Sequence, residues 1–163
     1  MDIRDLLRRA LAPLTRTRAF RWLGPRVLPR IENVLSALTG RRIQVSGLLV
    51  PSLVLITRGA KSGVERESYL MYTPDGQGRA IVAGTSFARQ HHPGWTYNLL
   101  ANPEARILVR GTEYRVHATL IPDAERDAAW ARIERQWPGY RAYERDSGRT
   151  VRLFLLQPVE RVA

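Results

Sequence analysis

The sequence predicts an α+β domain that is mainly β: a small antiparallel barrel of about six strands, with flanking helices and a helical N-terminal segment. Three observations predict it. Helical periodicity governs the start of the chain, where apolar residues recur at three- and four-residue intervals. From Ser46 onward the apolar residues fall into short β-type runs divided by Gly, Pro, Asn and Asp. Helices interrupt only the later runs, which favours antiparallel neighbours over a repeated βαβ unit. The chain therefore divides into a basic amphipathic helical segment at 1–45 and a barrel domain at 46–163.

The first element is DIRDLLRRALAPL, residues 2–14, with Ile3, Leu6, Leu7, Ala10, Leu11 and Leu14 at helical spacing and Arg4, Asp5, Arg8 and Arg9 on the other side. Asp2 fits an N-cap, and Pro13 limits the helix. A second amphipathic piece, PRIENVLSALTG, presents Ile31, Val34, Leu35 and Leu38 and stops at Gly40. Such faces suit either packing on the domain or contact with a membrane surface. Strands follow at LVLIT, 53–57, and ESYLMYT, 67–73, around the turn Gly59-Ala60-Lys61-Ser62-Gly63. The loop TPDGQGR leads to a small-residue strand, AIVAGTS, at 80–86. PGWTYNLLANP, 93–103, reads as a short helix between prolines, and ARILVRGTEYRVHATLI as a hairpin turning at Gly111-Thr112. PDAERDAAWARIERQW has acidic residues in its first turn, where the helix dipole favours them, and Trp130, Ile133 and Trp137 on its apolar stripe. GYRAYE follows, and TVRLFLLQP, 150–158, closes the domain as a strand.

A chain of 163 residues has room for one domain with a real core and an appendage. The absence of cysteine excludes disulfides, thiolate nucleophiles and Cys-ligated metals. No stretch approaches the roughly 20 apolar residues of a membrane span, and the N-terminus lacks the apolar core of a signal peptide. The expected location is the cytoplasm, with peripheral attachment to the inner face of the cell membrane as the variant that residues 1–43 suggest. A formal net charge of +11 calls for an anionic partner, and residues 1–43 carry ten arginines against Asp2, Asp5 and Glu32. No basic block is interleaved with aromatics, so nucleic acid is not the expected partner. The sequence does not fix the oligomeric state.

Self-sufficient chemistry is missing. His91-His92 and His117 form no metal-ligand pattern, so no metal is expected, and GAKSG has the wrong glycine spacing for a P-loop or a dinucleotide fingerprint. An enzyme built this way would rely on a bound cofactor acting on a small-molecule redox substrate. Lys61 stands out as the lone lysine among 26 basic residues. Its position is either chance on an exposed hairpin or a compact ammonium placed to meet an anion.

Four blocks, LVLITRGAKSGVER, AIVAGTS, HHPGWTYNLLANPEARILV and WPGYRAYERDSGRTVRLFLLQP, stand in the order and spacing of the deazaflavin-dependent nitroreductase family, which residues 46–158 resemble. The N-terminal helical segment is also similar to that family, whose members often associate with membrane there. The resemblance implies a split β-barrel oxidoreductase using reduced coenzyme F420, with FMN as the alternative cofactor. It places Lys61, Ser62, Gly63 and Arg66 at the cofactor's phosphate and acidic tail. Ala83, Gly84, Thr85 and Ser86 would run along the ring edge, their small size letting backbone amides approach. Gly94, Trp95 and Asn98 match a block bordering the phosphate and ring, and Tyr69, Leu70 and Met71 a stretch that often reads Pro-Leu-Tyr. Trp137, Tyr140 and Tyr143 match an aromatic segment over the substrate pocket, with Tyr140 first and Tyr143 second as proton or hydrogen-bond donors; core packing is the competing reading of these rings. Three positions depart from the family: Ala60 replaces an arginine, Ser86 a lysine and Met71 a tyrosine. The implied reaction is hydride transfer to an electron-poor apolar acceptor, a quinone, enone or nitro compound. A non-catalytic deazaflavin-binding carrier is the rival of another class.

Overall fold

Strand geometry sets the architecture, because successive side chains of each run turn to opposite faces. The computed structural model describes residues 51–162. The amphipathic helices expected within 1–45, and the expected barrel start at 46–50, lie outside the described residues. In chain order the elements are β1 (Ser52–Arg58), β2 (Glu65–Pro74), β3 (Ala80–Ala83), α1 (Gly94–Ala101), β4 (Glu104–Val109), β5 (Thr112–Leu120), α2 (Asp123–Gln136), α3 (Ala142–Ser147) and β6 (Leu153–Arg161). All pairings are antiparallel, and the order β1-β2-β3-β6-β5-β4 closes into a barrel through β1 and β4. Closure leaves no unpaired sheet edge.

Inside the barrel, Leu53 and Leu55 of β1 meet Val82, Ile107, Val116, Phe154 and Leu156. Fully burying each such side chain contributes about 1.5–3 kcal/mol. Helix α1 contributes Trp95 and Leu99 to this same interior. A second core lies on the outer wall, where Ala129, Trp130 and Ile133 of α2 cover Ile81 and Leu153. Asp123 and Glu125 sit in the first turn of α2 and Arg135 in its last, matching the macrodipole at both ends.

The structure corrects three boundaries. The third strand stops at Ala83 instead of reaching Ser86: Gly84 N–H still bonds the Arg152 carbonyl on β6's side at 2.9 Å, but Ser86, Phe87 and Ala88 adopt left-handed φ of 49°, 53° and 61°, which no strand accommodates. The β4–β5 turn is centred on Arg110-Gly111, not Gly111-Thr112, since both have positive φ (49° and 80°) as a tight hairpin's right-handed twist requires. The last strand begins at Leu153 and continues to Arg161, where Arg161 still pairs with Tyr114. Trp137 also leaves the α2 stripe: as the C-cap residue it has φ −135° and ψ 89°, which turns the chain away from the helix.

Candidate functional site

The β1–β2 turn is built to hold its tip in one shape. Gly59 N–H donates to the Val64 carbonyl and Gly63 N–H to the Gly59 carbonyl, both at 2.8 Å. A Cβ on Gly59 would stand 2.5 Å from Ser62 Oγ, and Gly63 has φ +68°, so both glycines are required by geometry. The Ser62 hydroxyl accepts the Val64 N–H at 3.3 Å. From α1, Asn98 Oδ1 accepts the Ala60 N–H and its Nδ2 donates to Thr57 Oγ1, each at 3.0 Å. Lys61 and Arg66 are exposed on this scaffold, and among the described residues neither forms an ion pair.

A pocket opens on the outer wall of the barrel, lined by Met71 and Thr73 of β2, Ile81 and Ala83 of β3, Ile133 and Gln136 of α2, and then Trp137 and Tyr140. The β2 positions of the pocket lie some six residues from the turn end of the strand, or about 20 Å. A ligand reaching both places would be elongated, with an anionic end at the turn. Tyr140 is held by ring contacts with Trp130 at 6.5 Å and Tyr143 at 5.3 Å. Its hydroxyl end lies in the interior and sits 3.2 Å from Thr85 Oγ1. Burial pushes the Tyr140 phenol up to about 12, the Thr85 hydrogen bond pulling the other way and Tyr143 adding a smaller push. At neutral pH it is therefore a proton-bearing donor.

The loop after β3 carries Thr85 and is strained. Ser86, Phe87 and Ala88 are non-glycine residues in the left-handed region, where such conformations cost about 1–3 kcal/mol each unless surroundings hold them. The run is held by hydrogen bonds from the Ala88 N–H to the Thr85 carbonyl and from the Arg89 N–H to the Ser86 carbonyl. Arg149 bridges its flanks, donating to the carbonyls of Gly84, Thr85 and Arg89 and meeting His92 Nδ1. Burial, then the nearby Arg152 and Arg149, holds His92 below the usual imidazole range, which keeps it neutral and able to accept.

The structure thus brings Met71, Ala83, Trp137 and Tyr140 together, joins Thr85 to them through Tyr140, and sets Tyr143 against Tyr140. Tyr69 shares the outward parity of Met71 on β2. Three expectations need correcting. Leu70 packs toward the barrel interior, because strand alternation sends it opposite to its neighbours. Trp95 is a core residue, 6% exposed and 5.8 Å from the Phe154 ring, so it offers no face to a ligand. The Gly84 and Thr85 amides are already committed to the Arg152 and Ala83 carbonyls; Gly84 is small because a Cβ would meet Thr96 Cγ2 at 2.9 Å. Asn98 ties the turn to β1 through both ends of its amide, and Ser62 Oγ accepts the Val64 N–H with its own proton still able to donate. Gly94 opens α1 with open space where a Cβ would go. Sequence reading missed Thr73, Ile81, Ile133 and Gln136, of which the first two were accessible from alternation with Met71 and Ala83. It also missed Arg149, one arginine among many.

A family model described as F420H(2)-dependent quinone reductase matches residues 26–158. An F420H(2)-dependent quinone reductase of Mycobacterium tuberculosis strain H37Rv is 36% identical over 118 residues, covering 69% of this chain and 76% of its own. Another protein of that strain with the same family name is 27% identical over 109 residues, covering 67% and 91%. Among solved structures, an F420-H2 dependent reductase aligns with a TM-score of 0.59 and 25% identity over 66% of this chain and 94% of its own. A structure described as a domain-swapped dimer aligns at 0.62 with 21% identity over 79% and 98%, a likeness of fold. The six-stranded closed barrel is the split β-barrel expected from the sequence.

Proposed function

Because the chain belongs to the F420H(2)-dependent quinone reductase family, we propose that it is an F420-dependent oxidoreductase whose acceptor, a quinone or a similarly electron-poor enone or nitro compound, lies against the mouth of the small pocket beside Tyr140. The donor set suits such a cofactor: Lys61 and Arg66 lack ion-pair partners among the described residues and would receive its phosphate and acidic tail. Arg66 and Lys61 do this without the two cations replaced by Ala60 and Ser86. Met71 and Ala83, with Tyr69 on the same strand face, would border the ring. When bound in reduced form, the deazaflavin supplies a hydride.

The protein's own part is positioning, exclusion of water and hydrogen bonding. Ile81, Ile133 and Trp137 give the pocket apolar walls. Tyr140 keeps its proton at neutral pH, so its hydroxyl donates to negative charge developing on the acceptor oxygen. The observation that carries the reading is the Tyr140 side chain on the lining of a mostly apolar pocket, its hydroxyl 3.2 Å from Thr85 Oγ1. Residues 1–43, with their excess of arginine, support contact with an anionic membrane surface, where apolar quinones reside. Among the described residues no helix is long and apolar enough to cross a membrane.

Fluorescence titration of the full chain with F420 and, separately, FMN tests the cofactor assignment. Saturable F420 binding that FMN does not compete away is expected. Tight FMN binding with no response to F420 would replace the reading with an FMN-dependent one.

A further inference from the structure

We propose that Arg149 is a positioning residue that sets the Tyr140 hydroxyl through Thr85. The proposal rests on the reading of Tyr140 given above and adds a residue that touches neither the pocket nor its occupant. The Arg149 guanidinium meets four acceptors: Nε donates to Arg89 O at 3.0 Å, Nη2 to Gly84 O and Thr85 O at 2.9 Å each, and Nη1 lies 3.1 Å from His92 Nδ1. It joins both ends of the loop that leaves β3, across more than fifty residues of sequence. No carboxylate forms an ion pair with it among the described residues, so its hydrogen bonds go to the loop and not to a charge partner. Gly84 and Thr85 are buried; the Thr85 carbonyl also accepts the Ala88 N–H at 3.1 Å, so the Gly84 carbonyl is the one that depends most on Arg149.

The next link is the Thr85 side chain. Thr85 is 7% exposed, and its Oγ1 stands 3.2 Å from Tyr140 OH. With Thr85 as the donor, the Tyr140 oxygen accepts and its own proton remains available to the pocket. The left-handed run at Ser86–Ala88 follows immediately, so the loop would relax toward ordinary backbone once Arg149 let go. Thr85 would then leave Tyr140, and the hydroxyl would lose its aim. Only a planar fork with several donors spans these acceptors; a lysine reaches one or two of them.

The test uses the full chain in a mutant cycle. Arg149→Gln, Arg149→Lys and Thr85→Val are made alone and with Tyr140→Phe, measuring kcat and KM for a soluble quinone, F420 affinity by fluorescence, and thermal unfolding. Arg149→Gln and Thr85→Val are each expected to lower kcat about tenfold, the scale of one oriented hydrogen bond, with KM within about twofold and F420 affinity unchanged. Arg149→Lys falls between. In the Tyr140→Phe background both effects should shrink below about twofold, because the group they orient is gone. Equal losses in both backgrounds, or a fully active Thr85→Val, overturn the proposal while leaving the Tyr140 reading intact. A fully active Tyr140→Phe overturns both. Thr85→Val keeps the buried volume, so it decides the matter if Arg149→Gln does not fold.

Discussion

Tyr140→Phe is expected to lower turnover by about 10²-fold or more, the usual scale for a lost general acid or oxyanion donor. The substitution removes a hydroxyl and nothing else. The ring keeps its contacts with Trp130 and Tyr143 and its place in the outer-wall core, so F420 affinity should change little, while loss of the bond to the buried Thr85 hydroxyl should cost about 1–3 kcal/mol of stability. The loss should fall on kcat, since the hydroxyl acts where charge develops and not where the substrate is first held. Tyr143→Phe is the control and should lose less, because Tyr143 meets Tyr140 edge-on and is not part of the pocket lining. Activity should also stay flat with respect to the Tyr140 phenol across the neutral range, its ionisation being pushed up to about 12. A Tyr140→Phe enzyme at wild-type speed would remove the donor from the mechanism.

Lys61→Ala should weaken F420 binding by about 1.5–3 kcal/mol, the worth of a charge-assisted hydrogen bond, or roughly 10- to 150-fold in Kd. The shape of the turn does not depend on the lysine side chain. It rests on the Gly59, Gly63 and Asn98 hydrogen bonds, which the substitution leaves in place. The change is therefore one of charge alone. Binding to wild type should weaken as salt rises, because the turn is exposed, and the mutant should show a shallower salt dependence. Equal dissociation constants for mutant and wild type would make the lone lysine an accident of composition.

What the sequence reveals is set by the range of the interactions involved. Alternation and turn residues act over a few positions, so β1, β2, β4, β5 and the helices at Gly94–Ala101 and Asp123–Gln136 could be read directly. The same local rule, applied at Leu70, would have turned that side chain inward; assigning a whole motif to a ligand overlooks that a strand shows only half its residues to one face. Trp95 illustrates the converse. A conspicuous aromatic in a recognisable block proves to fill the barrel interior. The end of β3 was hidden for another reason: it is followed by a left-handed run of Ser, Phe and Ala, residues with no intrinsic leaning that way, whose flanks bond to an Arg149 guanidinium far along the chain. In a chain whose basic residues are nearly all arginine, nothing marks that one out. Likewise the Thr85–Tyr140 pair joins two segments that only the packing of the loop against the α2–α3 connection brings together.

The decisive measurement is the oxidation of reduced F420 by a soluble quinone, followed spectroscopically on addition of the full chain. Protein-dependent oxidation is expected that saturates in both cofactor and quinone and slows sharply in Tyr140→Phe. Protein that binds F420 but leaves its reduced form untouched with quinone, enone and nitro acceptors alike would contradict it, and would identify the chain as a deazaflavin carrier.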